Sequence, residues 1–371
     1  MLRLALAVQL LLAGSPPSAA RRAVAPDTTP FARLVFQLSE LGGFFDSDNL
    51  ISNESSYLHI LGRLRDKGPS GGAYIGVGPD QSFSYIAVTR PSIAFIIDIR
   101  RENLLLHLLF KAIFESSRNR LEYLCLLFGR PAPADLVPWS RKSIEEIIEY
   151  LDHSPSDSAR GARSQEALFE RVGRYGLGLA AEDFRTLQRL QQEFVTAGLD
   201  LRFTSYGRPP RPFYPTIRQL ILEKDLTGRQ GNFLVREEDF RFVQELQRRD
   251  RVIPVVGDLA GPHALKAIGR YLADRRERVS LFYVSNVEFY LFRQETFGRF
   301  VENVRGLPAA PGALLARSYF GGATGRPHPQ AVPGYYSVQL LQSFASFLAR
   351  TQKPDSVNYW DLVTEDAIEP N

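Results

Sequence analysis

The sequence predicts an α/β protein: a doubly wound, mostly parallel sheet with helices on both faces and a helical insertion. Three observations carry this. Short apolar runs of strand length recur in the first part of Gly72 to Gln81, at Ala94 to Asp98, within Arg251 to Asp258, and at Val279 to Val284 and Gly312 to Phe320. Segments with helical apolar spacing lie between them, the alternation that gives a parallel sheet. The first run enters a glycine-rich turn, and the second ends on a carboxylate.

In chain order, residues 1–20 read as a secretory signal. Arg3 gives a minimal positive start, and Leu4 to Ala13 an apolar core too short to span a bilayer. Ser18-Ala19-Ala20 supplies a small-residue cleavage site before Arg21. The expectation is export, to the periplasm or outside the cell. A cytoplasmic protein with a mis-assigned start is the alternative. No cysteine follows the leader, so no lipid attachment is expected, and no later stretch is apolar enough for a transmembrane helix. Residues 21–54 read as a tether, a helix over Phe31 to Leu41 and a polar loop, Phe44 to Glu54. Asp46, Asp48, Asn49, Asn53 and Glu54 either fold over a crevice or form a capped surface turn. In the second case Asn53 caps a helix from Tyr57 to Lys67.

Residues 55–130 form the first half of the main domain. After Asp98, the spacing of Leu104, Leu105, Leu108, Leu109, Ala112 and Ile113 suits a helix on the sheet, continued by Leu121 to Phe128. Arg100 and Arg101 make salt bridges at that helix start or contact a ligand carboxylate. Cys125, the single cysteine, sits in an apolar run and reads as core. It excludes an intramolecular disulfide and a cysteine zinc site. The five histidines, His107 among them, are isolated from one another and give no metal site.

Residues 131–250 read as a mainly helical insertion. Helices are expected over Ser143 to Leu151, Gln165 to Tyr175, Ala181 to Ala197, Tyr214 to Glu223 and Glu237 to Gln247. The loop Arg202 to Pro215 interleaves Arg, Pro and aromatic residues. Its prolines keep it out of a sheet. It either binds a flat or anionic ligand or packs on the protein's own surface. Residues 251–371 form the second half. Pro254 inside the third strand predicts an edge or start position. Gly261-Pro262 opens a helix to Leu272. A helix is expected over Tyr335 to Ala349, with apolar Val338, Leu341, Phe344, Ala345 and Leu348, and a last strand over Val357 to Leu362.

The chemistry concentrates at the strand ends. Gly76-Val77-Gly78-Pro79-Asp80-Gln81 follows the first strand, and Asp98 stands about twenty residues further on, the layout of a nucleoside-binding crevice. Glycines allow a sharp turn and close backbone approach to a ligand. A dinucleotide site needs a third glycine where Gln81 stands, and a pyrophosphate would meet the Asp80 carboxylate. A sulfonium or amine tolerates that acid. Asp258 after the third strand, and Asn286 and Glu288 after the fourth, fall at the same edge of the sheet.

The stretch Gly76 to Pro79, with Asp98 and Asp258, resembles the motifs of class I S-adenosylmethionine-dependent methyltransferases, which have a Rossmann-like sheet. The resemblance covers residues 55–130 and 251–350. It implies Gly76, Gly78, Pro79, Asp80 and Gln81 around the methionine part of S-adenosylmethionine, Asp98 on the ribose and Asp258 on the adenine amino group. Asn286 and Glu288 would contact the substrate or remove a proton. The chain departs from the motif at Tyr74, where the family has an acid, and at Asp80, where it often has glycine. The chain also resembles exported or lipid-anchored bacterial proteins with this fold and no settled activity. That resemblance is carried by Phe45 to Glu54, Gly76 to Gln81, Phe95 to Arg101 and Val255 to Gly261.

The chain has 371 residues, 44% apolar and 23% charged, with a formal net charge of +4. Acids nearly balance the scattered arginines, so the basic balance gives no strong nucleic-acid signal. No G-x-S-x-G elbow marks a hydrolase. Two functions follow: methyl transfer from S-adenosylmethionine to an unknown acceptor, or a non-catalytic binding or surface-interaction protein that reuses the fold.

Overall fold

The computed structural model describes residues 29–47, 49–155, 158–208 and 211–370. The leader, most of the tether, Asp48, Pro209 and Pro210 lie outside them. Six strands form one sheet: β1 (Ala73–Gly76), β2 (Ile93–Asp98), β3 (Val252–Val256), β4 (Val279–Tyr283), β5 (Ala309–Phe320) and β6 (Ser337–Ser343). Their order is β3-β2-β1-β4-β5-β6. The first five run parallel, and β6 lies antiparallel on β5. Every residue of β1, β3 and β4 is buried, as in strands with no solvent face. Pro254 lies in β3, at the sheet edge, where a missing N–H costs no ladder bond on the open side.

The helices before β3 are α1 (Pro30–Leu38), α2 (Leu61–Lys67), α3 (Gln81–Thr89), α4 (Arg101–Ser116), α5 (Arg120–Leu127), α6 (Ile144–His153), α7 (Ser158–Gly173), α8 (Ala181–Ala197), α9 (Ile217–Leu222) and α10 (Glu237–Arg248). After β3 come α11 (Ala264–Asp274), α12 (Val287–Arg293), α13 (Phe297–Arg305), α14 (Gly321–Thr324), α15 (Phe344–Arg350) and α16 (Tyr359–Thr364). They gather in two groups. The long apolar helix α4 packs against α7, α8 and α10, and α10 also meets α3. On the other side α11 packs against α1 and α13, and α13 against α12.

Two C-terminal expectations are overturned. The helix expected over Tyr335 to Ala349 is β6 followed by α15. Val338, Leu341 and Phe344 match a helical period. However, Ser337, just before them, and Gln339 and Gln342, between them, are also buried, because β5 and β6 present polar side chains to one another. The Ser343 side chain then caps α15 by accepting from Ser346 N. The strand expected over Val357 to Leu362 is α16, started by Asn358, whose side chain accepts from Asp361 N. The helix expected from Tyr57 begins at Leu61, so Asn53 caps nothing there.

The segment after α1 works as a strap across the carboxyl ends of β3 and β2. Glu40 N donates to Val256 O at 2.9 Å, Val256 N to Ser39 Oγ at 3.1 Å, and Gly43 N to Ile99 O at 2.7 Å. The Glu40 carboxylate accepts from the N–H groups of Asp258 at 2.9 Å, His263 at 2.9 Å and Ala264 at 3.3 Å. These include donors that the start of α11 would otherwise leave orphaned. Further on, Ser47 Oγ donates to Thr204 O and Tyr206 N to Asp46 O, both at 2.7 Å, tying the strap to the loop before α9. Glu40→Ala strands three backbone donors. It is expected to lower stability by about 2 kcal/mol in a urea titration, with Glu40→Gln recovering part of the loss.

Candidate functional site

A cleft of about 210 Å³ opens where the carboxyl ends of β1, β2, β3 and β4 meet. Gly78, Gln81, Asp98, Asp258 and Asn286, five of the residues singled out in the sequence, line it together. The strap adds Asp46, Asn49, Asn53 and Glu54, so these polar residues do face the crevice. The insertion adds Phe203, Ser205, Arg208 and Tyr214 from the Arg-Pro-aromatic loop.

Gly78 has a φ of +83°, a left-handed conformation that favours glycine, and its nearest side-chain atom is Gln81 Nε2, 3.5 Å from where a Cβ would stand. Its carbonyl accepts from Nε2 of the buried His107 at 2.9 Å. Burial lowers the imidazole pKa to about 4, so the ring is neutral and its Nε2–H fixes the glycine turn. Gln81 opens α3. Its Nε2 donates to Tyr283 OH at 3.0 Å, while its Oε1 is buried without a partner among the described residues.

Tyr283 in turn donates to Glu54 Oε2 at 2.6 Å. Ser318 Oγ, from β5, lies 2.5 Å from the same oxygen, and Ser285 Oγ bonds to Glu54 Oε1. Glu54 is 1% exposed, and among the described residues no cation pairs with it. Burial raises its pKa, against the pull of the three hydroxyls. Ser318 has one proton and faces both Glu54 and Gln339 Oε1, 2.8 Å away. A proton on Glu54, or a turned Gln339 amide, satisfies that count. Nothing along the chain sets Glu54 apart from its polar neighbours, because its partners come from β4, the turn after it and β5.

Asp98 reaches the cleft with its carboxylate already held. Arg100 donates to Oδ1 from its backbone N and Nε, at 2.9 and 3.0 Å, and to Oδ2 from Nη2 at 2.7 Å. Arg100 is buried, and its Nη1 also donates to Ser47 O of the strap. Asp258 Oδ1 accepts from Ala260 N at 2.9 Å, an Asx turn that aims the side chain. Asn286 stands before α12 beside Tyr290. Acids outnumber bases on the lining, with Asp46, Glu54, Asp98 and Asp258 against Arg100 and Arg208.

Four expected site residues do not line the cleft. Gly76 is covered by the protein itself. The Tyr74 ring lies over it, its hydroxyl 2.3 Å from where a Cβ would stand and 3.2 Å from Ser82 Oγ, to which it donates. Glycine is needed there for a side chain of the chain's own. Pro79 is buried behind the turn. Asp80 lies near Tyr57 and Tyr123, whose ionisation its charge opposes. Burial pushes the Asp80 carboxyl from 3.8 up to about 7. Glu288 is sealed in an ion pair with Arg317, 2.7 Å apart at 1% and 2% exposure. Arg317 also donates to Gln342 Oε1 and Leu362 O, so Glu288 ties α12 to β5, β6 and α16. Asp48 lies outside the described residues.

The model of a family described as a domain of unknown function (DUF7790) matches residues 50–368. The chain belongs to that family. The matched span contains all six strands and every cleft residue except Phe44, Phe45, Asp46 and Asn49. A comparison with curated proteins returns no match. Among the described residues, no group of three or more His, Cys, Asp or Glu is placed to hold a metal ion, and no helix is long and apolar enough to cross a membrane.

Asp80 gives a pH-dependent test. The folded protein keeps its proton to about pH 7, whereas the unfolded chain loses it near 3.8. The stability from the neutral carboxyl is therefore full below the lower value and lost as pH rises through about 7. Asp80→Asn keeps the neutral form. Its advantage over wild type in urea unfolding is expected to grow across that window and level off above it, at about 2 kcal/mol.

Proposed function

We propose that the chain is a doubly wound, Rossmann-like protein of the methyltransferase type, that it binds S-adenosylmethionine in the cleft, and that it is exported. The observation that carries the reading is the meeting of Gly78, Gln81, Asp98, Asp258 and Asn286, from four strand ends, on one acid-rich lining. The strand order turns back between β1 and β4. Open α/β sheets bind ligands beyond the carboxyl ends at such a reversal. Right-handed crossovers then send the helices after β1 and β2 to one face and those after β3 and β4 to the other.

The acid excess favours a cationic nucleoside over a pyrophosphate. The Gly78 backbone and the unpartnered Gln81 Oε1 suit the amino-acid end of the cofactor, whose ammonium donates hydrogen bonds. Asp258 would accept from the adenine amino group. Asp98 Oδ2 takes one bond, from Arg100 Nη2, and keeps a lone pair for a ribose hydroxyl. S-adenosylmethionine would supply an electrophilic methyl group. The chain's part is alignment of an acceptor, with Asn286 as a contact and Glu54 as the cleft carboxyl able to hold or take a proton.

A second reading, a binding or surface-interaction protein without the cofactor, has two observations in its favour. Arg100 occupies most of the Asp98 carboxylate. The cleft's volume of about 210 Å³ is below the roughly 300 Å³ at which ligand pockets begin. The leader also points away from the cytoplasm, where S-adenosylmethionine is made. Isothermal titration with S-adenosylmethionine and S-adenosylhomocysteine separates the two. The first reading expects micromolar binding, weakened at least about tenfold in Asp258→Ala. No heat at millimolar ligand leaves the second. Protein purified from its native cell is expected to begin at Arg21, and a start at Met1 contradicts export.

A further inference from the structure

A second hollow, of about 610 Å³, adjoins the cleft and shares Asp46, Asn53, Arg208, Tyr214, Asn286 and Tyr290 with it. That volume falls within the roughly 300–1,000 Å³ of small-molecule sites. Its walls are aromatic. Phe213 and Tyr214 come from the insertion, Phe289 from α12, and Phe320 and Tyr336 from the two sides of the β5–β6 connection. The rings brace one another, with Phe213 and Tyr336 centroids 5.0 Å apart and Phe320 and Tyr336 5.7 Å apart.

The sign of the charge reverses between the two compartments. The cleft sets four acids against two arginines, and the hollow sets Arg208, Arg211 and Arg293 against Asp46 alone. Arg208 is spoken for by Asp46 at 2.6 Å. Arg211 and Arg293 are exposed and have no acid partner among the described residues. Their guanidinium carbons lie 5.8 Å from the Phe213 centroid and 5.5 Å from the Phe289 centroid. The Tyr336 hydroxyl is buried without a partner among the described residues. A guanidinium fork matches a carboxylate with two parallel hydrogen bonds, and aromatic walls favour a flat ring.

We propose that this hollow binds a planar aromatic acid, an arene carboxylate, and holds it against Asn286 and Tyr290, where it meets the ligand of the cleft. The binding stands on the hollow alone; only the meeting with a second ligand rests on the reading of the cleft given above. The test titrates the full chain with 2-naphthoate and with its neutral counterpart 2-naphthamide, in wild type and in the double variant Arg211→Glu, Arg293→Glu. Both arginines are exposed and have no acid partner among the described residues, so the variant is expected to keep the wild-type melting temperature; should it melt early, Arg293→Gln replaces it. Saturable naphthoate binding is expected, at least about tenfold weaker for the amide and for the variant. Equal binding of acid and amide overturns the proposal, as does an unaffected variant or no saturation with naphthoate. Naphthoate binding without S-adenosylhomocysteine binding keeps the hollow and removes the cleft reading; the reverse removes the hollow only.

Discussion

The Glu54 carboxylate is the point on which the site depends. It leaves the strap, enters the protein and is met by hydroxyls of Tyr283, Ser285 and Ser318, from β4, the turn after it and β5. A buried carboxyl is costly unless its oxygens are hydrogen-bonded, and these three hydroxyls bring a partner to each oxygen. The same bonds fix where the strap lies. Glu40 does the corresponding work at the other end, on the turn between β3 and α11. Between these two acids the strap crosses the strand ends and sets the width of the cleft.

The cleft's character follows from which carboxylates the fold neutralises. Asp98 is held by Arg100 and Asp46 by Arg208, whereas Asp258 makes only backbone contacts among the hydrogen bonds described. Glu288 is paired so completely with Arg317 that it belongs to the core. Removing one partner of such a pair leaves an unpaired buried charge, so the pair bears on stability. The adjoining hollow holds two arginines with no acid partner among the described residues. One continuous opening therefore has an acidic part and a basic part, divided along Asn286 and Tyr290.

The sheet was legible because its strands are apolar on both faces, and such runs separated by helical spacing have few other readings. β6 was not, because its buried polar residues, Gln339 and Gln342, broke the expected strand pattern and left apolar positions at a helical period. Gly78, Asp98, Asp258 and Asn286 were legible as a group, since strand ends at one edge of a parallel sheet converge whatever lies between them. What the sequence hid was self-occupation. Gly76 looks the same whether a ligand or Tyr74 lies over it, and Asp98 looks the same whether ribose or Arg100 takes its lone pairs. Glu54 became distinctive only when the fold brought three hydroxyls to it.

Hydrogen–deuterium exchange with and without S-adenosylhomocysteine tests the central claim most directly, because it locates a ligand without presuming a reaction. A nucleoside seated at the reversal of strand order slows exchange at the turns following β1, β2, β3 and β4 together, around Gly78, Arg100, Asp258 and Asn286. Unchanged exchange at all four turns under saturating ligand, or protection confined to another face, contradicts it.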